Sequence, residues 1–333
     1  MKKKISLALS ALFLIGLLAA CGGSGNSAST GGGSTGGSYS NGNLTFTTGG
    51  DQGTYYAIGS VLAGQVSAAT DTTVTAITSG GSQANILALS DGDAQIAFAQ
   101  SDVMAYAYEG TNLFDAAVPG FSTLAALYTE QVQIVTLDPN LTSVSDLVGK
   151  TVSVGDAGSG TYFNAVDILS AYGINAETDI NPVYESFGTS ADSLQDGKID
   201  AAFVVAGAPT NAITSLAATK DVYLISLDDA HINALIGSSP YYTANVIPAE
   251  TYNLPADVTT VAVGAVVIAR DDVSEDDAYN FVSGVFDNLD AITASHAKGA
   301  ELNLDFAASV ASVPYHPGAA RYFSEKGYDV PVK

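Results

Sequence analysis

The sequence predicts an α/β fold made of two similar lobes. Short β-like runs alternate with helical runs along most of the chain, which is the pattern of sheets with a largely parallel strand order. The alternation also restarts half-way: residues 53–56 (GTYY) and 160–163 (GTYF) each close a glycine turn after a strand and open a helix. The length of 333 residues suits two domains better than one.

The first half of the chain contains the elements of one such lobe. Strands are predicted at residues 44–47, 73–78, 95–99, 123–127 and 131–137. A helix is expected after the glycine turn at 49–53, because Ile58, Leu62 and Val66 have the spacing of one buried helix face. Two further helices are predicted at 82–90, with Ser82 as N-cap, and at 101–108.

The second half repeats the pattern. Strands are predicted at residues 151–154, 200–205, 222–227 and 261–269. Helices are predicted at 161–172 after the glycine turn 155–160, at 211–219, near 275–289 and near 318–326.

The composition excludes several functional classes. Hydrophobic residues make up 47% of the chain and charged residues 14%, so the chain has material for a core and is not disordered throughout. Acids outnumber bases 34 to 11, and a net charge of −23 leaves too few cations for a nucleic-acid-binding face. The single cysteine excludes an internal disulfide, and the three histidines are widely spaced, so no metal site and no cofactor are predicted.

The N-terminus predicts export and lipid anchoring. Lys2, Lys3 and Lys4 precede an uncharged run at residues 5–20, which is too short to span a bilayer and suits a signal peptide. Its end, LAAC at residues 18–21, resembles a bacterial lipobox. We therefore expect a signal peptide at 1–20, lipidation of Cys21 and an extracytoplasmic location at the cell membrane; an ordinary cleaved signal is the alternative.

Residues 21–42 are rich in glycine and serine and are predicted to form a flexible tether that begins with the lipidated cysteine. Such a composition buries too little apolar surface to fold. The tether either lets the folded part move near a membrane partner or only lifts it clear of the cell surface.

Enzymatic motifs are incomplete. The run Gly149-Lys150-Thr151 resembles the end of a phosphate-binding P-loop, but Val144 stands where that motif needs glycine. The turn at 158–163 ends in Phe163 and does not complete GxGxxG, residues 80–84 (GGSQA) do not complete GxSxG, and HExxH does not occur. The protein is predicted not to be an enzyme, with a secreted hydrolase kept as an alternative.

Six stretches resemble the motifs of TAXI solute receptors, the TRAP-associated extracytoplasmic immunogenic proteins. They are TGGDQGTYYAIG at 48–59, SGGSQAN at 79–85, AFAQSD at 97–102, VSVGDAGSGT at 152–161, AGAPT at 206–210 and HPGAARYF at 316–323. The acidic Asp51-Gln52 pair departs from the small residues common in the first turn. The resemblance covers residues 44–328.

The resemblance implies a two-lobed fold of the type II periplasmic-binding-protein kind with a ligand cleft between the lobes. The chain would cross between lobes near residues 131–137 and 226–245. One lobe would then contain residues 43–131 and 240–333, and the other residues 132–239.

The resemblance also implies a function. A monomeric receptor would capture glutamate, glutamine or a dicarboxylate-like solute by lobe closure and deliver it to an ion-driven TRAP permease in the membrane. A lipoprotein that reports its ligand to a membrane kinase is the alternative.

The candidate ligand-binding residues follow the glycine turns and the carboxyl ends of strands, where open α/β sheets bind ligands. They are Gly53, Thr54, Tyr55, Ser82, Asn85, Gln100, Asp102, Ser159, Gly160, Thr161, Gly207 and Pro209. At the two turns, free N–H groups of helix starts would bind a carboxylate without an arginine. For Ser82 and Asn85, an N-cap and a surface amide are equally good interpretations. A structural role is also open for Gly207 and Pro209.

Overall fold

The computed structural model describes residues 42–333. The strands in this range are β1 Asn43–Thr47, β2 Thr73–Ile77, β3 Ile96–Gln100, β4 Phe121–Thr136, β5 Thr151–Ser153, β6 Asn181–Val183, β7 Ala201–Ala206, β8 Tyr223–Leu224, β9 Thr243–Ile247 and β10 Val258–Arg270. The α-helices are α1 Thr54–Ala69, α2 Ser82–Asp91, α3 Ser101–Glu109, α4 Gly160–Ala171, α5 Phe187–Gln195, α6 Asn211–Ala217, α7 Asp229–Ser238, α8 Glu275–Phe286, α9 Leu289–Ser295, α10 Leu304–Ala307 and α11 Pro317–Glu325.

The strands form one mixed sheet in the order β2-β1-β3-β10-β4-β7-β5-β6, with β8 beside β4 and β9 beside β10. The outer strands are parallel: β1 pairs with β2 and β3, and β5 pairs with β6 and β7. The central strands β10 and β4 are antiparallel to each other and to their neighbours β3 and β7. The predicted parallel order therefore holds among the outer strands of each half, on either side of an antiparallel centre.

Two long strands connect two lobes. One buried apolar cluster takes its residues mainly from the chain before Tyr128 and after Ala265. Two others lie between Val132 and Val263. The strands β4 and β10 run through both regions, so the first lobe comprises residues 43–130 and 264–333, and the second comprises residues 131–263.

The chain crosses between the lobes for the second time later than expected. The expected position was residues 226–245. Strand β9 pairs with Val258–Ala262 of β10, and Ile247 and Tyr252 are buried in a second-lobe cluster. This hairpin holds the chain in the second lobe until β10 crosses at Val263 and Gly264. The boundary expected at residue 240 therefore falls too early in the chain.

The segment predicted as two strands at 123–127 and 131–137 is the single strand β4. Polar residues Thr129, Glu130 and Gln131 interrupt its apolar run, which is why the sequence pattern breaks there. Pairing with β10 nevertheless continues through all three residues, so the strand stays intact.

The two echoed glycine turns begin helices at corresponding places. The turn after β1 leads into α1, which buries Ile58, Leu62 and Val66. The turn after β5 leads into α4, where the Ser159 side chain caps the first turn. Both helices therefore begin at the carboxyl ends of parallel strands.

Within residues 42–333, no helix has the length and apolar character needed to cross a bilayer. The same residues bring together no group of three His, Cys, Asp or Glu side chains that could hold a metal ion. The expected signal peptide, Cys21 and the tether up to residue 41 lie outside the described residues.

Candidate functional site

A cavity of about 60 Å³ lies between the two lobes. The first lobe contributes the turns after β1 and β2 and the ends of β3 and β4, and the second contributes the turn after β5, the start of α5 and the end of β7. The lining residues are Gly49, Gly50, Gly53, Thr54, Tyr55, Ser79, Gly80, Gly81, Ser82, Gln100 and Glu130 from the first lobe, and Asp156, Ser159, Gly160, Thr161, Ser186, Phe187, Val205 and Ala206 from the second.

Four helices begin at the cavity wall: α1 and α2 in the first lobe and α4 and α5 in the second. The first backbone N–H groups of a helix have no intrahelical acceptor, and the helix dipole makes this end partly positive. The protein itself uses three of these groups: Tyr162 N–H donates to Ser159 Oγ at 3.3 Å, Thr189 N–H to Ser186 Oγ at 3.3 Å and Ala84 N–H to the Gly158 carbonyl at 3.1 Å. The arrangement suits an anion held without a charged side chain.

Tyr55 and Glu130 form the polar part of the first-lobe wall. The Tyr55 hydroxyl donates to Glu130 Oε2 at 2.6 Å, and its ring stacks on Phe98 with centroids 4.4 Å apart. Glu130 is only 2% exposed. Burial, opposed by the Tyr55 hydrogen bond, raises the pKa of the Glu130 carboxyl to about 8. At pH 7 this carboxyl is therefore mostly protonated.

A buried polar network joins the lobes behind the cavity. Gln100 Nε2 donates to Asn164 Oδ1 at 3.0 Å, and Asn164 Nδ2 donates to Asp102 Oδ2 at 2.7 Å and to the Tyr242 hydroxyl at 2.8 Å. Gln100 and Asp102 belong to the first lobe, whereas Asn164 and Tyr242 belong to the second. Burial raises the pKa of Asp102 to about 7, against the lowering effect of the Asn164 hydrogen bond.

Backbone and apolar contacts also join the lobes. The Thr54 hydroxyl donates to the Gly207 carbonyl at 2.8 Å. Phe163 of α4 packs into the first-lobe core, with its ring 5.6 Å from that of Phe114 and 6.4 Å from that of Tyr106. These contacts hold the lobes together in a closed arrangement.

Two glycines permit this close approach. A Cβ atom at Gly160 would overlap the Gln100 side chain and lie 2.9 Å from Ser82 Oγ, and both of these residues belong to the opposite lobe. A Cβ atom at Gly207 would lie 2.6 Å from Lys298 Cε, again across the lobes. A side chain at either position would have to displace side chains of the facing lobe.

The structure places eight of the twelve sequence-predicted residues on the cavity wall: Gly53, Thr54, Tyr55, Ser82, Gln100, Ser159, Gly160 and Thr161. Several of their polar groups already have partners. The Ser82 hydroxyl accepts from Gln100 N–H at 3.1 Å, and Ser159 caps α4. The Thr161 hydroxyl has no hydrogen-bond partner within residues 42–333, so it is available to a solute.

The other four predicted residues are not among the lining residues. Asn85 is buried inside the first lobe, where its Nδ2 donates to the carbonyls of Thr48 and Phe98. Asp102 is turned to Asn164 in the polar network.

Gly207 and Pro209 have structural positions beside the cavity. The Gly207 carbonyl accepts from Thr54 and from Thr210 at 3.2 Å. Pro209 follows a cis peptide bond and does not begin a helix, because α6 starts at Asn211 with Thr210 as N-cap.

Three residues of the site are not among those predicted from the sequence: Glu130, Phe187 and Asn164. One feature of the sequence could have identified Glu130: it is a single acidic residue between two apolar strand segments. Phe187 lines the cavity from the start of α5, a helix that the sequence pattern did not predict. Asn164 is in the middle of a helix, where one polar residue does not indicate a contact with a second lobe.

We expect the stability of the protein to depend on pH through Asp102. Its pKa is raised in the folded state, whereas an unfolded Asp titrates near 3.9, so above about pH 4 the unfolded chain releases a proton that the folded protein keeps. The wild type should therefore lose stability relative to Asp102→Asn as the pH rises from about 4 to about 7, by a few kcal/mol. Urea unfolding of both proteins at pH 5 and pH 7.5 measures the difference. A difference between the proteins that is the same at both pH values would contradict the assignment.

A family model described as NMT1-like matches residues 46–327 of the chain. The chain belongs to the NMT1-like family. This NMT1-like protein resembles MatC from Rhodopseudomonas palustris, solved with bound malate, with a TM-score of 0.56 and 14% identity over 78% of this chain and 89% of MatC. A structure from Bordetella bronchiseptica RB50 gives a TM-score of 0.52 and 13% identity over 85% of this chain and 88% of that one.

At these identities the solved structures show the fold alone. The predicted two-lobed, periplasmic-binding-protein-like α/β fold of this NMT1-like protein is confirmed.

Proposed function

We propose that this NMT1-like protein is an extracytoplasmic solute receptor of a TRAP-type transporter. It captures a small carboxylate-bearing solute by closing its lobes and delivers the solute to a membrane permease. The observation that carries the proposal is the cavity between the lobes, on which the N-termini of α1, α2 and α4 converge.

The chemistry of the cavity supports a carboxylate. Backbone N–H groups at helix starts bind anions at contact distance, so a carboxylate can be held although the chain has a net charge of −23. The Thr161 hydroxyl adds a further donor on the second-lobe wall. MatC, which shares the fold, was solved with malate, a small dicarboxylate.

Closure of the two lobes supports a role as a receptor that responds to its solute. The solute would contact both walls of the cavity only when the lobes are together, and it therefore stabilises the closed form in proportion to those contacts. The closed form then docks on the permease. Resemblance of the N-terminus to a lipobox supports attachment to the membrane through Cys21, and the TAXI-like motifs support a TRAP-type partner.

Thermal unfolding in the presence of amino acids and dicarboxylates tests the proposal. A solute at 100 times its dissociation constant should stabilise the protein by about 2.7 kcal/mol. Absence of a shift with every carboxylate in the panel would contradict a carboxylate-binding cavity.

Thr161→Val should weaken binding of the solute by about tenfold, because it removes one hydrogen-bond donor at the wall and keeps the shape of the side chain. Calorimetric titration measures the change. Thr111→Val, at an exposed position outside the cavity wall, is the matched control and should bind as the wild type does. Equal affinities of the Thr161 and Thr111 variants would remove Thr161 from the site.

A further inference from the structure

The ionisable residues on the described cavity wall include acids but no Lys or Arg. Among the described residues that line it, two are acidic, Glu130 and Asp156, and none is Lys or Arg. A solute with two carboxylates would find no Lys or Arg among these residues, so that only helix N-termini would balance its charge. A solute that carries a cation as well as a carboxylate complements both kinds of group.

Glu130 has the geometry of an acceptor for that cation. Tyr55 fixes its carboxyl group through Oε2, and Oε1 accepts no hydrogen bond from residues 42–333. The side chain is buried on the first-lobe wall, where solvent screens it little.

We propose that Glu130 binds a positively charged amino group of the solute, so that the solute is a zwitterionic amino acid and not a dicarboxylate. This inference rests on the proposed function, because the carboxylate of the same solute is assigned to the helix N-termini. Glu130 is then the residue that sets specificity between amino acids and their deaminated analogues.

The groups around Glu130 determine its protonation before the solute arrives. Asp102 raises its pKa, and the Lys298 ammonium lowers it. Lys298 is itself paired with Glu301 at 2.5 Å, and its ammonium lies 5.6 Å from the centre of the Tyr128 ring. Burial outweighs both, so the empty site holds a neutral carboxyl group at pH 7. An incoming ammonium favours the carboxylate, and the Glu130 proton leaves to solvent.

Proton release on binding tests the inference in the wild type. Calorimetry at pH 7 in buffers of different ionisation enthalpy should show about one proton released per amino acid bound. The matched probe is the same carbon chain without the amino group, such as 4-carbamoylbutanoate beside glutamine. It should bind at least tenfold more weakly and release no proton. A deaminated probe that binds as tightly as the amino acid, or an amino acid that binds without proton release, would overturn the assignment.

Glu130→Gln provides a second, independent readout. This variant keeps the acceptor for Tyr55 but cannot carry charge, and it should bind the amino acid 10- to 100-fold more weakly at pH 8 while its affinity for the deaminated probe changes little. Glu325→Gln, which alters an exposed carboxyl group hydrogen-bonded to Tyr279, should bind both probes as the wild type does.

If the Glu130 variant binds the amino acid normally, Glu130 does not contact the amino group, and the proposed carboxylate site is unaffected. If neither probe nor any other carboxylate binds the wild type, the proposed function itself fails, and this inference fails with it.

Discussion

Gly160→Ala should weaken solute binding by about 100-fold while the protein remains folded. The added methyl group would overlap the Gln100 side chain, and Gln100 belongs to the opposite lobe. The clash arises only when the lobes close, so it opposes the closed form and leaves each lobe intact. Overpacking of this kind costs about 1–3 kcal/mol, the upper end of which corresponds to a loss of about two orders of magnitude in affinity.

Gly64→Ala is the control for this substitution. Gly64 lies in the middle of α1 on an exposed face, where an added Cβ atom has no neighbour within 4 Å. The control should keep wild-type affinity and gain about 0.5–1 kcal/mol of stability, because alanine is the better helix former. Calorimetry and circular dichroism measure both effects. Wild-type affinity in the Gly160 variant would show that binding does not require the closed approach of α4 to Gln100.

Asn164→Leu should weaken solute binding by roughly 10- to 100-fold. Leucine has a similar size but removes both the acceptor for Gln100 and the donor to Asp102. Closing the lobes would then bury polar groups without partners, at about 1–3 kcal/mol for each group. In an open form these groups remain hydrated, so the cost falls on closure and not on the folding of the second lobe.

The matched control is Asn233→Leu, which makes the same change at an exposed position of α7 in the same lobe. Its affinity should equal that of the wild type. Small-angle scattering with saturating solute gives a direct view of closure, and the Asn164 variant should contract less than the control. Full contraction and normal affinity in the Asn164 variant would contradict the role of this network.

Most of the fold could be predicted from the sequence because its signals are local. The apolar face of Ile58, Leu62 and Val66 indicated α1, and the turn before Thr161 indicated α4. The eight predicted residues that line the cavity all lie at such turns or at the ends of strands. Local patterns of this kind place the walls of a cleft well.

Contacts between the lobes could not be predicted in the same way. Asn164 has no motif, and its importance comes from Gln100 and Asp102, which lie far away in the chain. The crossing at Gly264 was also missed, since β9 is a short and largely exposed strand with a weak apolar pattern. Glu130 interrupts an apolar run and looks like a break between strands, although pairing across the sheet carries β4 through it. Long-range pairing decides these features, and a sequence pattern does not contain it.

The most direct test of the central claim is a crystal structure of the protein grown with an amino acid that stabilises it in the thermal panel. We expect the solute to lie between the lobes, with its carboxylate within hydrogen-bond distance of the first N–H groups of α1 or α4 and of Thr161 Oγ. Glu130 should contact the amino group. A solute bound elsewhere on the protein, with no contact to either helix start, would contradict the account.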